Sequence, residues 1–373
     1  MLRMKCAHID SHELGRRRNM KTNFSTAVGE VTLPSDMKMS DLVMDPGKYS
    51  YEGNWAFCRF NHPHLLGGRI GFSRGEDSSE DIGWDTPDWK PAGRDSHYRI
   101  EILSRDGGYL YSYSGDEQDI TIRSGVFSHD VHRADRELLS VEGYPEMHWK
   151  MASPEGSMEI DVMMEPLVFV TLPDNIQKNT TFSMWLVPCR LHGQITIDGK
   201  TEDIQGTAFL DHPRLKKQNN SPREFGCYLY TPVLLDDGTY FFSYYADFID
   251  GEQNKDYSFG YHVDANLNVS SYRCVSMRSL QFTGEHQVER ADMVFANDDA
   301  EIHLSIREEY LPVKRAWGSR VASMDKRKYI AYPQLFTAEY AYRDASGESR
   351  QPGRGLLEYV QSDKRQFSPP GGC

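Results

Sequence analysis

The chain has 373 residues, more than one hydrophobic core usually serves, so two domains of ordinary size are expected. Its 42 basic and 55 acidic residues give a formal net charge of -13, which would repel nucleic acid and anionic membrane surfaces. Six cysteines without a Cys-x-x-Cys pair indicate neither a zinc knuckle nor a disulfide framework, and no apolar run reaches the roughly 18 residues of a spanning helix. These features predict a cytoplasmic protein that neither spans a membrane nor binds nucleic acid.

Residues 1–19 have neither helical nor strand periodicity and are interpreted as an irregular leader. From residue 20 onward, Asp-Gly pairs flanked by aromatic and β-branched residues punctuate the chain, as at Asp198-Gly199 and Asp237-Gly238. Because helical spacing of apolar residues is scarce and Tyr and Phe are abundant, the sequence predicts an all-β fold of antiparallel strands. The clearest strand patterns cover residues 56–60, 97–104, 109–113, 158–164, 182–187, 194–197, 204–209, 228–234, 240–246, 258–263 and 337–342.

A polar, turn-prone segment between His212 and Glu224 is almost free of apolar residues, which is typical of a linker. We therefore expect an N-terminal domain over residues 20–218 and a C-terminal domain over residues 219–373.

The segment from Trp185 to His212 is predicted to form a hairpin around the Asp198-Gly199 turn. Its second strand ends in Asp211-His212, an acid next to an imidazole. Titratable side chains at a strand end lie at the mouth of a sheet or barrel, where they can meet a bound molecule. This pair is therefore the leading candidate for chemistry.

Four motifs in order along the chain resemble a two-domain lipocalin-type family. That family includes bacterial carotenoid 1,2-hydratases (hydroxyneurosporene synthases), AttH-like proteins and fungal decalin-forming cyclases (Diels-Alderases). The motifs are Glu52-Gly53-Asn54-Trp55-Ala56-Phe57, Gly206-Thr207-Ala208-Phe209-Leu210-Asp211-His212, Leu235-Asp236-Asp237-Gly238-Thr239-Tyr240-Phe241 and Gly353-Arg354-Gly355-Leu356-Leu357-Glu358-Tyr359. The sequence departs from the family pattern at Asn54, where a tryptophan is usual, and at Pro213-Arg214-Leu215, which replaces x-Trp-Gly.

The resemblance implies two lipocalin-like antiparallel β-barrel, or barrel-like sandwich, domains packed side by side. It also implies a cofactor-independent enzyme without a metal that acts on a hydrophobic isoprenoid or polyketide-like substrate. The reaction would be hydration, isomerisation or cyclisation in a pocket between the domains. The oligomeric state stays open.

The implied chemistry assigns a role to each candidate residue. Asp211 would be a general acid, because burial keeps a carboxyl protonated near neutral pH, and His212 would orient it or take the proton back from water. Alternatively, Asp211 caps a turn before Pro213, and His212 packs on an aromatic ring. Glu358 is either a second catalytic carboxylate or a salt-bridged barrel residue. The expected substrate-binding residues are Trp55, Arg59, Trp185, Tyr228, Tyr230, Phe242 and Tyr244.

Evenly spaced aromatic residues along strands 228–261 predict a cavity-lining face or, equally, a filled barrel core. A non-catalytic carrier of a hydrophobic ligand is the main alternative function. A carbohydrate-active β-sandwich, with Trp84 and Trp89 as sugar platforms, is a second. The stretch Gly67-Gly68-Arg69-Ile70-Gly71 is interpreted as a glycine-rich hairpin, because no helix pattern follows it as a nucleotide loop requires.

Overall fold

The computed structural model describes residues 31–32, 51–75, 95–105, 109–116, 120–125, 128–133, 135–171, 175–176, 180–217, 225–283, 287–308 and 329–362. The predicted leader, the predicted domain boundary at 218/219 and both Trp84 and Trp89 lie outside these residues. The division into domains 20–218 and 219–373 therefore stays a prediction.

Almost all described residues lie in β-strands, which confirms the all-β class. All eleven predicted strand segments fall within strands, apart from Ser258, which precedes one. The strands are β1 (Val31–Thr32), β2 (Tyr51–Phe60), β3 (Leu65–Gly75), β4 (Asp95–Ser104), β5 (Tyr109–Asp116), β6 (Ile120–Gly125), β7 (Ser128–Arg133), β8 (Arg136–Glu142), β9 (Met147–Ala152), β10 (Met158–Pro166), β11 (Phe169–Thr171), β12 (Asn175–Ile176), β13 (Thr180–Ile197), β14 (Lys200–Lys217), β15 (Phe225–Leu235), β16 (Tyr240–Phe248), β17 (Phe259–Val263), β18 (Val269–Thr283), β19 (Gln287–Ala296), β20 (Ala300–Glu308), β21 (Tyr329–Asp344) and β22 (Gly347–Ser362).

The N-terminal strands form one curled antiparallel sheet in the order β5-β4-β3-β2-β14-β13-β10-β9-β8-β7-β6, in which β11 and β12 also pair with β13, and β1 pairs with β11. Its centre is the long β13–β14 hairpin, whose turn residues Asp198 and Gly199 have φ angles of 49° and 77°. Positive φ at both positions is the geometry that a tight hairpin turn needs, as the sequence predicts. The concave inner face of this sheet carries its own apolar core, which includes Phe72, Trp149 and Leu210.

The C-terminal strands β15 to β22 form a closed eight-stranded barrel, because β22 pairs with β15. Its interior is filled by a core that includes Phe241, Tyr340 and Tyr359. A 3₁₀ turn at Lys255–Tyr257 connects β16 to β17. Within the described residues, no helix has the length and apolar character needed to cross a bilayer.

The outer face of the barrel packs on the convex outer face of the N-terminal sheet through an aromatic layer that we call the interdomain layer. Along β16, Phe241 points into the barrel, whereas Tyr240, Phe242 and Tyr244 point towards the N-terminal sheet. Residues 240–247 are all buried, since both faces of the strand are covered. The evenly spaced aromatic residues therefore lie between the domains and do not line the barrel interior. The sequence period alone does not decide which face of a strand points into a barrel. The layer includes Trp55, Phe57, Leu66, Met184, Leu186, Phe209, Tyr230, Tyr240, Phe242, Tyr244, Tyr257, Phe259 and Tyr261.

The glycines at 67, 68 and 71 lie in β3, the second strand of the β2–β3 hairpin, rather than in its turn. Gly71 has a φ of +148°, and a Cβ there would overlap the Asn54 carbonyl and lie 2.8 Å from Cε3 of the Trp55 ring. The absence of a side chain at Gly71 therefore leaves room for the ring of Trp55, its partner on the neighbouring strand β2.

We expect Gly71→Ala to destabilise the fold by about 2–4 kcal/mol, because backbone strain and overpacking add. Gly347→Ala is the matched control, since Gly347 has a similar φ of +138° and nothing within 4 Å of its Cβ position. It should cost only the strain, about 1 kcal/mol. Urea denaturation of both variants measures the difference, and equal losses would contradict the assigned role of Gly71.

Candidate functional site

Asp211 and His212 lie within β14, which continues to Lys217, so the prediction that the strand ends at this pair is wrong. The two side chains point to opposite faces of the N-terminal sheet. On this strand, Phe209 belongs to the interdomain layer and Leu210 to the inner core, so Asp211 faces the barrel and His212 faces inward. His212 stacks on Trp185, its cross-strand partner, with ring centroids 4.6 Å apart. The expected partnership between Asp211 and His212 is therefore wrong, because neighbours on a strand cannot share a face.

On the barrel side, Asp211 lies in a set of polar side chains that we call the junction cluster. Its other members are Arg69 from β3, Tyr228 and Tyr230 from β15, and Glu358 from β22. The registers explain the assembly: Asp211 lies opposite Trp55 across β14 and β2, and Tyr230 lies opposite Glu358 across β15 and β22. Both domains thus contribute to one site.

An ion pair between the domains organises the junction cluster. Nη1 of Arg69 donates to Oε1 of Glu358 at 2.8 Å, and the hydroxyl of Tyr228 donates to Oε2 at 3.0 Å. The Arg69 guanidinium lies 4.7 Å from the ring centroid of Trp55 and 4.9 Å from that of Phe57. Because both Glu358 oxygens accept hydrogen bonds, one of them charge-assisted, this carboxyl is held as the anion. Of its two sequence interpretations, the contacts match the salt-bridged residue, with its partner in the other domain.

The environment of the Asp211 carboxyl, unlike that of Glu358, disfavours the anion. Burial raises its pKa well above the usual range, and the negative charge of Glu358 raises it further, against the opposing charge of Arg69. Among the described residues, no hydrogen-bond donor reaches its Oδ1 atom. The two carboxyls of this cluster therefore have unlike environments: the contacts of Glu358 favour its ionised form, and the burial of Asp211 favours its protonated form.

The hydroxyl of Tyr230 adjoins this acid. Burial, followed by the charges of Asp211 and Glu358, raises the Tyr230 pKa well above its ordinary value, so the phenol keeps its proton. Its oxygen is buried and, within the described residues, has no hydrogen-bond partner. Two unsatisfied buried polar atoms in one cluster are the feature expected where a polar group of a guest molecule binds.

The remaining predicted binding residues divide between the two faces of the N-terminal sheet. Arg59 lies on the same face of β2 as Trp55, and Phe242 and Tyr244 lie in the interdomain layer. Tyr244 stacks on Tyr228 at 5.2 Å. The structure therefore gathers eight predicted site residues around the junction; they are Trp55, Arg59, Asp211, Tyr228, Tyr230, Phe242, Tyr244 and Glu358.

Trp185 and His212 belong instead to a second set, the inner cluster, with Glu52, Asn54 and Arg214. Nδ1 of His212 lies 2.8 Å from Oδ1 of Asn54, and its Nε2 lies 3.7 Å from Oε1 of Glu52. The same Glu52 oxygen is 3.6 Å from Nε of Arg214. Burial, aided by the charge of Arg214, lowers the His212 pKa well below its usual range, so the imidazole is neutral.

Arg69 is the functional residue that sequence reasoning missed. The sequence did contain a signal for it: Arg69 is the one large polar residue in a glycine-rich stretch, and glycines leave room for a bulky neighbouring group. A Cβ at Gly68 would indeed overlap the carbonyl of Glu101 on β4. In the described part of the chain, no group of three or more His, Cys, Asp or Glu side chains is arranged to hold a metal ion.

Comparison with solved structures places the fold. An AttH candidate from Nitrosomonas europaea is 14% identical and superposes with a TM-score of 0.55, covering 87% of this chain and 96% of that one. Kievitone hydratase from Nectria haematococca (10% identity, TM-score 0.48, 85% and 90% coverage) and CghA in complex with Sch210972 (10%, 0.40, 84% and 89%) are more distant. No protein-family model and no curated protein sequence matches the chain. The chain thus shares the fold of the AttH-type structure, which confirms the fold of two lipocalin-like domains implied by the resemblance.

The raised Asp211 pKa predicts a pH-dependent effect of Asp211→Asn. A folded-state pKa above the unfolded value stabilises the protein below the unfolded pKa, about 3.9, and this stabilisation is lost as the pH rises through the folded pKa. The amide does not titrate, so the melting temperature of the variant should gain on wild type as pH rises from 4 to 8. Each unit of pKa elevation contributes about 1.4 kcal/mol.

Asp237→Asn is the control, because its stability relative to wild type should change with pH in the opposite direction. Although partial burial would raise it, hydrogen bonds from the hydroxyl and amide of Thr239 lower the Asp237 pKa. This carboxylate stabilises the fold above its unfolded pKa, about 3.9, so the variant should fall behind wild type as pH rises from about 2 to about 5 and then stay behind by a constant margin up to pH 8. A gap between Asp211→Asn and wild type that does not change with pH would contradict a protonated Asp211.

Glu358→Gln should lower the Asp211 pKa, because the Arg69 charge would then face Asp211 without its counter-ion. The pH dependence that separates Glu358→Gln from the double variant Glu358→Gln/Asp211→Asn should therefore be weaker than the one that separates wild type from Asp211→Asn. Glu339→Gln, at an exposed ion pair with Arg350, should leave the dependence unchanged. Thermal melts between pH 4 and 8 measure the effect of Asp211→Asn in the wild-type, Glu358→Gln and Glu339→Gln backgrounds. If this effect depended on pH equally in the wild-type and Glu358→Gln backgrounds, the electrostatic coupling would be contradicted.

Proposed function

We propose that this protein is a cofactor-independent enzyme that donates a proton to a hydrophobic, polyene-type substrate at the junction of its two domains. The observation that carries the proposal is the buried, protonated Asp211 with an unsatisfied oxygen, beside an ionised Glu358 and an unsatisfied Tyr230 hydroxyl. Protonating an alkene needs a carboxylic acid in dry surroundings, which the interdomain layer supplies. The sequence motifs and the fold support the same assignment.

In the proposed reaction, Asp211 gives its proton to one alkene carbon, and the new C–H bond leaves a carbocation at the other. The Asp211 carboxylate formed in this step, with the negative charge of Glu358, stabilises that cation. For hydration, a water oxygen attacks the cation and its surplus proton returns to Asp211, which balances the cycle. Loss of a different proton to Asp211 would give isomerisation. Attack by a second alkene would move the cation to that alkene, and loss of a proton from the new cation to Asp211 would complete a cyclisation.

Each neighbour of Asp211 has a defined part in this proposal. Glu358 neutralises Arg69, so that the cation does not form beside an uncompensated positive charge. The Tyr230 hydroxyl orients the attacking water or a substrate oxygen. The apolar part of the substrate, of isoprenoid or polyketide-like class, would lie against the interdomain layer. His212 and Trp185 take no part, because they lie on the other face of the sheet.

The rival proposal is a carrier that holds the same ligand at the aromatic layer without reaction. The abundance of buried aromatic side chains at the junction is compatible with it. A carrier would not need a buried carboxyl such as Asp211 in the interdomain layer. We therefore prefer the enzyme to the carrier. The carbohydrate alternative depends on Trp84 and Trp89, which lie outside the described residues, and stays a prediction.

We expect Asp211→Asn to lower kcat about 100-fold or more with little change in ligand affinity, because general acid catalysis contributes about 10²–10⁴. Native mass spectrometry of the protein purified from its source organism would identify a co-purified apolar ligand for both assays. A variant that retains wild-type turnover would contradict Asp211 as the acid, and a ligand that wild type binds but leaves unchanged would favour the carrier.

Tyr230→Phe should lower kcat about 10-fold or more, because it removes only the hydroxyl beside Asp211. Tyr261→Phe is the matched control: Tyr261 is a buried phenol of the interdomain layer that does not belong to the junction cluster, and its variant should keep wild-type turnover. Equal losses in the two variants would point to packing rather than to the Tyr230 hydroxyl.

A further inference from the structure

We propose a second ligand site inside the N-terminal sheet, the inner pocket, which binds the carbonyl oxygen of a small uncharged molecule through the indole N–H groups of Trp149 and Trp185 and the amide of Asn54. This site is independent of the proposed proton transfer, because strands β2 and β14 separate it from the junction cluster.

The inner pocket is a cavity of about 30 Å³ on the concave side of the sheet. Strands β2 and β14 form its wall towards the junction and contribute Asn54, Trp55, Leu210 and Asp211. The opposite wall comes from strands β7 to β9 and the β8–β9 turn, and β13 contributes Trp185. By volume it admits a group the size of about two water molecules, such as a carbonyl, rather than a whole substrate.

Three hydrogen-bond donors of the pocket have no acceptor within the described residues. They are Nε1 of Trp149, Nε1 of Trp185 and Nδ2 of Asn54, and each atom is closed to solvent. Trp149 and Trp185 are only 2% and 6% exposed. An indole can donate but not accept, so these groups call for an acceptor atom in the cavity between them.

The surrounding charges favour an uncharged acceptor. Arg214 is already near Glu52, and His212 is neutral and occupied with Oδ1 of Asn54. A bound anion would lie near the buried Glu52 without a cation of its own, which is unfavourable in a site of low dielectric. A carbonyl oxygen has two lone pairs and carries no charge, so it matches this set of donors.

The turn between β8 and β9 gives the pocket an entrance. Gly143 in this turn is exposed, and Tyr144 and Met147 are half-buried where they line the cavity. The apolar remainder of the ligand would therefore lie between Tyr144 and Met147, with its carbonyl pointing inward.

Indole ¹H–¹⁵N NMR spectra of the full chain test the proposal, with Trp149→Phe and Trp185→Phe assigning the two resonances. Cyclohexanone is the probe, and methylenecyclohexane, which has CH₂ in place of the oxygen, is its matched control. We expect cyclohexanone to move both indole protons downfield in a saturable manner, and to bind about tenfold or more tightly than the hydrocarbon. Each Trp→Phe variant should weaken binding by a similar factor, because it keeps an aromatic ring and loses the donor.

If cyclohexanone gives no saturable shift of the indole protons, only water binds at these donors, and the proposal is overturned. Equal affinity for both probes overturns it as well. Comparing the two probes on the wild-type protein decides the question even if a Trp→Phe variant fails to fold. Tyr230→Phe, a change in the junction cluster at a residue that does not line the inner pocket, should bind cyclohexanone as wild type does, so a failed inner pocket and a failed proton-transfer proposal give different results.

Discussion

The ion pair between Arg69 and Glu358 is the interaction on which the proposed site depends. It crosses from the N-terminal sheet to the barrel in surroundings that exclude water, and the hydroxyl of Tyr228 and the rings of Trp55 and Phe57 complete its environment. Breaking such a pair leaves a buried charge uncompensated, at a cost of about 3–5 kcal/mol. The pair therefore fixes the relative position of the two domains at the point where Asp211 needs a defined electrostatic environment.

The closed barrel contributes its outside rather than its inside. Its interior is filled, with Phe241, Tyr340 and Tyr359 among the core residues, so the barrel itself acts as a rigid support for what its strands display outward. Tyr228, Tyr230 and Glu358 are held on that outer surface by the β15–β22 ladder. Positioning by two paired strands is more precise than positioning by loops, and it suits a site that must keep an acid protonated.

Local signals in the sequence sufficed for the fold class but not for the arrangement of the site. The Asp198-Gly199 turn and the strand alternation around it were predictable, because turn chemistry and period depend on neighbouring residues only. Which side of β16 faces into the barrel depends on closure of the sheet by β22, far along the chain, so the sequence period alone did not decide the orientation of Tyr244. The family resemblance, by contrast, assigned Tyr244 to a pocket between the domains. Arg69 was missed because glycine inside a strand and glycine in a hairpin turn look alike without the Trp55 ring above them. Asp211 and Glu358 were found through motifs, whereas their unlike charge states depend on burial.

The neighbours Asp211 and His212 serve two separate compartments through a single strand. Because successive side chains point to opposite faces, the junction side and the inner side of the sheet each receive every second residue of β14. A shift of the strand by one residue therefore changes both sides together. Inserting or deleting one residue just before position 211 would exchange the two faces, carrying the imidazole to the barrel side and the carboxyl to the indole of Trp185. Length changes in this stretch would therefore damage both compartments at once, so natural variants of this chain should differ here by substitution and hardly ever by a gap.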